Sequence, residues 1–166
     1  MRLYVLRHGE TDYNVQGKFQ GQIDIALNEN GKRQLEEVVK EFENIKIDVI
    51  ISSPLSRALE MAKKIGESKE KQVIIEPRII ERSFGDLEGK YGVDNFEQKV
   101  ESYHIEKIED LKIRVFSFLE DITNQYPNDN ILVVTHEGIA KMIEAFYYGE
   151  EAGRKFRLQN GKYKVY

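Results

Sequence analysis

The chain predicts an α/β fold, a three-layer sandwich with a mainly parallel central sheet and helices on both faces. Short apolar runs alternate with longer segments of helical periodicity, the order that builds parallel strands joined by right-handed crossovers. Two of those runs, Arg2–Leu6 and Ile131–Val134, also end abruptly in loops that carry a histidine and a glycine. Strands of an open sheet end this way when they deliver side chains to the crevice beyond their carboxyl ends.

Arg2-Leu3-Tyr4-Val5-Leu6 reads as the first strand and leads into Arg7-His8-Gly9-Glu10-Thr11. Asn28 to Ile45 is read as a helix, with Leu35, Val38, Val39 and Phe42 on one face and Asn28 as its amino-terminal cap. Ile47–Ile51 is the second strand. Ser52-Ser53-Pro54 then announces a helix from Leu55 to about Glu67, because proline is tolerated in a first turn. Val73–Ile75 is the third strand. From Arg78 to Lys107 the periodicity lapses, with glycines at 85, 89 and 92, which predicts an excursion of loops and short helices over the sheet. Helical spacing returns at Ile108–Tyr126 through Leu111, Val115, Phe118, Leu119 and Ile122. Pro127-Asn128-Asp129-Asn130 is a turn, Ile131–Val134 a strand and Ile139–Tyr148 a helix. Asn160-Gly161, between Lys155–Leu158 and Lys162–Tyr166, is a hairpin signal.

With 166 residues, a single domain over 1–166 is expected, residues 86–107 forming a short lid-like insertion. A net charge of −4 and a pI near 5.5 leave no basic footprint for nucleic acid. Cysteine is absent, which excludes a thiolate nucleophile and a cysteine-held zinc. No apolar run approaches the length of about 18 residues that spans a bilayer, and no leader pattern opens the chain, so a cytoplasmic protein without a membrane partner is expected. The terminal strand could lie at a sheet edge or pair with a second subunit, leaving monomer and homodimer open.

The predicted carboxyl edge collects unusual chemistry. It gathers Arg7 and His8 from the first strand, Ser52, Ser53 and Arg57 from the second, and His136 before Gly138 from the later one. Two guanidiniums, two imidazoles and helix-terminal N–H groups suit a phosphate. A neutral imidazole held in one tautomer is also a competent nucleophile, and Glu81 is the best placed acid to protonate a departing oxygen. Taken singly these residues have ordinary uses. Arg57 could pair with Glu60 on a helix surface, Glu81 could be solvated, and either histidine could sit at a turn. His104 reads as an exposed loop residue, Tyr13, Phe96, Tyr103 and Tyr147 as packing, and Glu97–Glu109 as a solvated acidic face. A two-histidine metal site is the rival for the pair, disfavoured by arginines beside both histidines.

Arg7-His8-Gly9-Glu10-Thr11 with Asn14 resembles the signature of the histidine phosphatase superfamily, which includes the cofactor-dependent phosphoglycerate mutases. Gln20-Gly21-Gln22-Ile23-Asp24 with Leu27 and Gly31, Ser52-Ser53-Pro54-Leu55-Ser56-Arg57-Ala58, Glu81 with Phe84-Gly85 and Glu88-Gly89, and Thr135-His136 are similar to its later motifs, in family order. The resemblance implies His8 as the nucleophile that becomes phosphohistidine, and Arg7, Arg57 and His136 as the phosphoryl clamp. It implies Glu81 as general acid and then base, and Asn14, Gln20 and Gly21 as contacts around the phosphate. No metal and no cofactor are implied, and the expected ligand is a small phosphorylated metabolite. Glu137 stands where the family often has glycine, Leu87 where it has tryptophan, and the insertion is shorter than in the mutases. Hydrolysis is therefore expected ahead of mutase-type transfer, with a protein phosphohistidine substrate and phospho-ligand binding without turnover as further alternatives.

Overall fold

The computed structural model describes residues 1–166, apart from the side chain of Glu97. In chain order the elements are β1 (Arg2–Arg7), α1 (Asp12–Gln16), α2 (Glu29–Phe42), β2 (Val49–Ser52), α3 (Ser56–Lys69), β3 (Val73–Ile75), α4 (Ile108–Gln125), β4 (Asn130–Thr135), α5 (Glu137–Tyr148), α6 (Glu150–Lys155) and β5 (Tyr163–Val165). The strands form one sheet in the order β3-β2-β4-β1-β5. The first four run parallel, and β5 joins β1 antiparallel at the edge.

Alternation along the strands explains the three layers, since successive side chains point to opposite faces. Leu3, Val5, Ile131 and Val133 pack with Leu111, Val115, Phe118 and Leu119 of α4 and with Ile139 and Ile143 of α5. Tyr4, Leu6, Ile50, Leu132 and Val134 pack with Leu35, Val38 and Phe42 of α2 and with Ala58, Met61 and Ile65 of α3. Buried on both faces, β1 and β4 must read as continuous apolar runs, which is how they appear in the sequence.

Register sets the site. Arg7 lies opposite Thr135, and Ser52 opposite Val134. The ladder extends one residue further on both sides of β4. His8 N–H donates to Thr135 C=O at 2.9 Å, and Ser53 N–H to Val134 C=O at 3.0 Å. His8, His136 and Ser53 therefore leave neighbouring strands at one level.

Several expectations need correction. The hairpin does not form: Lys155 ends α6, and residues 156–158 make no strand. Leu158 instead buries its side chain in the core while its carbonyl accepts from Arg7 Nη1 at 2.7 Å. The Asn160-Gly161 turn serves β1, Gly161 N–H donating to the carbonyls of Arg7 and His8. Helices α1 and α6 were not foreseen, being too short to show a periodicity. Thr11 caps α1 in a reciprocal box with Asn14, and Gly17 ends it at φ 68°. Helix α5 starts two residues earlier than the apolar spacing marks, at Glu137. Helix α2 starts as its cap predicts, with Asn28 Oδ1 accepting from Gly31 N–H at 2.8 Å. Residues 78–107 hold short 3₁₀ turns and an isolated bridge from Tyr91 to Lys18. Among the described residues no helix is long and apolar enough to cross a membrane.

Candidate active site

His8 is almost wholly buried at the end of β1. Its Nδ1 lies 2.6 Å from the carbonyl oxygen of Gly9, which can only accept, so Nδ1 carries the proton and Nε2 its lone pair. Burial pushes the imidazole well below its usual pKa, and the guanidiniums of Arg57 and Arg7 push the same way against the Gly9 hydrogen bond. His8 is thus a neutral, oriented imidazole at physiological pH.

The ring of His136 stands 5.2 Å from that of His8, centre to centre. Its Nε2 is 2.7 Å from Ser53 Oγ, and that oxygen accepts from Leu55 N–H at 3.3 Å. A hydroxyl has one proton and two lone pairs, so Ser53 can donate to Nε2 while accepting from Leu55, and in that arrangement His136 Nδ1 is an N–H donor. This Nδ1 is buried and has no hydrogen-bond partner among the described residues; the same holds for Arg7 Nε and Arg57 Nε. Burial first, then Arg57, His8 and Arg7, lowers the pKa of His136 far below its usual value. Three buried donors of this kind, two of them permanently cationic, are the complement of a compact oxyanion.

Arg57 is not a surface partner of Glu60. It is the second residue of α3, 1 % exposed, and donates to the carbonyls of Ile23 and Gly21 at 2.8 Å each. Burial lowers its pKa and Glu81, Asp24 and Glu88 oppose the shift, leaving a guanidinium charged at neutral pH. Gly21 therefore touches Arg57 through its backbone. It adopts φ 51°, and a Cβ there would meet Glu88 Oε1 at 2.1 Å, so glycine is required twice over. Glu88 Oε1 accepts from Gln22 N–H at 2.9 Å and Phe84 N–H at 3.0 Å, fastening this loop to the Glu81 segment.

Glu81 is not solvated either. Its carboxyl is buried, Oε1 accepting from Arg82 N–H at 2.8 Å and Oε2 from Gly138 N–H at 3.2 Å. Burial raises its pKa above the usual carboxylate value, although those two N–H groups, Arg57 and Arg7 pull it back down. The result is a carboxyl that keeps its proton at higher pH than an exposed glutamate, at the amino terminus of the helix that follows His136.

Asn14 and Gln20 sit around the same loop. Asn14 Oδ1 accepts from Thr11 N–H at 3.0 Å, and Gln20 Oε1 from the Thr11 hydroxyl at 2.8 Å. Both carbonyl ends are thereby fixed, which orients the amide NH2 ends as donors. Sequence reasoning missed the residues that do the fixing: Thr11, Ser53 as the partner of His136, and Asn160. Asn160 Nδ2 donates to His8 C=O at 3.1 Å and Asn14 Oδ1 at 3.3 Å from 146 residues or more away. No local pattern signals such a contact; only Ser53, two residues past a strand, was on the predicted edge. Glu137 pairs with Arg7 Nη1 at 2.9 Å and with Lys141 at 3.4 Å, so its charge is spent on cations. His104 is exposed and bonds Asp86. Among the described residues no three metal-ligating side chains come together.

The fold and this edge define a histidine phosphatase of the α/β type. Residues 3–166 match the model of the histidine phosphatase superfamily (branch 1), and the chain belongs to that family. It is 35 % identical over 138 residues to the uncharacterized phosphatase PhoE of Bacillus subtilis, covering 80 % of this chain and 69 % of that one. Phosphoserine phosphatase 1 of Hydrogenobacter thermophilus is 32 % identical over 181 residues, 99 % of this chain and 85 % of its own. Among solved structures, the α-ribazole phosphatase of Shigella flexneri superposes with a TM-score of 0.87 at 27 % identity, covering 99 % and 89 % of the two chains. A phosphoserine phosphatase mutant from Entamoeba histolytica in complex with phosphoserine gives 0.85 at 29 % identity, with the same coverage. The protein is a phosphatase of the histidine type.

Proposed function

We propose that the chain hydrolyses small phosphomonoesters without a metal, through a phosphohistidine on His8. The observation that carries this reading is that three of the four buried side-chain nitrogens without a hydrogen-bond partner among the described residues, Arg7 Nε, Arg57 Nε and His136 Nδ1 (Arg82 Nη2 is the fourth), belong to the residues around a neutral imidazole with a fixed tautomer. Nε2 of His8 attacks phosphorus and the ester P–O bond breaks. The proton of the Glu81 carboxyl passes to the departing oxygen, releasing the alcohol. Water then attacks phosphorus while the Glu81 carboxylate takes its proton, the Nε2–P bond breaks, and inorganic phosphate leaves with His8 restored. Charge spreading over the equatorial oxygens is met by groups already in place, so little reorganisation is needed. Asn14 and Gln20 would add neutral donors, and Gly21 would act by holding Arg57.

The test is release of inorganic phosphate from a panel of phosphomonoesters in the presence of a chelator, by wild type and His8→Ala. Relatives act on phosphoserine and α-ribazole phosphate, so both belong in the panel with sugar phosphates and phosphoglycerate. Activity that survives the chelator and disappears in a folded His8→Ala supports the reading; activity retained by the variant refutes it. Label exchanged between acceptors, in place of release, would indicate mutase-type transfer. A preference for a phosphorylated protein would indicate a phosphohistidine substrate.

A further inference from the structure

Resting on the reading of Glu81 as the proton donor, we infer that Arg114 and Glu106 are positioning residues, a clamp that holds this carboxyl in place. Residues 80–84 lie outside any helix or strand, so their buried carbonyls have no ladder to bond into. Arg114, on the second turn of α4, supplies the missing donors. Its Nη1 donates to the carbonyls of Arg78 and of Ile80, the latter at 2.8 Å, and Nη2 to the carbonyl of Glu81 itself at 3.2 Å. The guanidinium is held by Glu106, with Nε to Oε1 at 2.7 Å and Nη2 to Oε2 at 2.9 Å. Both side chains are less than one-fifth exposed, so the pair is not a solvated ornament. Glu106 was expected in a solvated acidic stretch; that expectation fails.

Glu106 also grips the segment from the other side. Its Oε2 accepts from Ser83 N–H at 3.2 Å, its own N–H donates to Ser83 C=O at 3.0 Å, and its carbonyl accepts from Arg82 Nε at 2.8 Å. One residue at the end of segment 86–107 thus makes three hydrogen bonds to the two residues that follow Glu81, Arg82 and Ser83. The carboxyl is fixed by backbone N–H groups of Arg82 and Gly138, and the clamp sets the Arg82 half of that seat. Only arginine presents enough donors in a rigid fork for three carbonyls and a carboxylate; lysine keeps the charge and loses the fork.

A proton donor that is slightly misplaced penalises only those leaving groups that need the proton. The experiment compares kcat/KM for the best alkyl phosphate of the panel with kcat/KM for dinitrophenyl phosphate, whose leaving group departs as an anion. The proteins are wild type, Arg114→Lys, Glu106→Gln and Glu81→Gln. For Arg114→Lys the alkyl ester should lose about 10²-fold, the penalty typical of a displacement near 1 Å, while the aryl ester is nearly unaffected. Glu106→Gln preserves volume and keeps an acceptor oxygen, and should show the same split in milder form if Arg114→Lys does not fold. Equal losses on both esters would mean that the pair only supports the fold and would overturn the inference. No loss on either would overturn it too. Glu81→Gln separates the levels: if it shows no split, the assignment of Glu81 as acid falls and the clamp falls with it; if it alone shows one, only the clamp falls.

Discussion

Gly138→Ala should displace the proposed proton donor, Glu81, while leaving α5, the helix that carries the substitution, intact. A Cβ at position 138 would lie 2.3 Å from Glu81 Oε1 and 3.3 Å from its Cδ. Ordinary contact begins near 3.4 Å, so the carboxyl oxygen must retreat by about 1 Å, and it can, being the end of a side chain. The helix itself gains, because alanine is favoured over glycine by up to about 1 kcal/mol in a helix. Against this stands the weakening of the hydrogen bond from Gly138 N–H to Oε2, worth about 1 kcal/mol. The two nearly offset, and the melting temperature should move by no more than about 4 °C. A displacement of that size at the reacting centre costs about 10²-fold, equivalent to about 2.7 kcal/mol of barrier. The assay is kcat/KM on an alkyl phosphate beside a thermal melt on the same sample. A variant that melts like wild type and retains kcat/KM within about threefold would refute the placement of Glu81 at the leaving group.

Other tests probe the rest of the site. Ser53→Ala removes the hydroxyl bonded to His136 Nε2, and should weaken competitive inhibition by orthovanadate about tenfold, the cost of one unsatisfied buried group. Unchanged inhibition would show that Ser53 does not set the donor. Stability should fall on acidification. His8 and His136 have folded pKa values below the unfolded 6.5, so the unfolded chain binds more protons and stability is lost as pH drops through that value. Each fully titrating histidine contributes a slope of about 1.4 kcal/mol per pH unit. Glu81, raised above 4.5, acts in the opposite sense between that value and its folded one. Denaturant titrations from pH 7 to 5.5 should show the decline, and His8→Asn should flatten it; an unchanged slope would mean that His8 is protonated in the folded protein.

Much of this protein is legible along the chain. Strands buried on both faces must be apolar at every position, so β1 and β4 stand out as runs, and helices with one packed face must repeat every three to four residues, as α2 and α4 do. Residues that leave such strands at their carboxyl ends share an edge by topology, which is why Arg7, His8, Arg57 and His136 could be grouped without coordinates. Glu81 was harder, since it follows no strand and its neighbours lack periodicity. What the sequence could not express are bonds that depend on two distant segments meeting. Asn160 reaches His8 across the β1–β5 edge, Arg57 spends part of its fork on the carbonyls of Gly21 and Ile23, and Arg114 holds the Glu81 segment from α4. The apparent hairpin shows the same limit from the other side: a local turn signal was real, but the strand after it found a better partner in β1. Local chemistry determined which groups could act on a phosphate. Only the tertiary structure decided their protonation, because burial sets the pKa of His8, His136 and Glu81, and burial belongs to the folded chain alone.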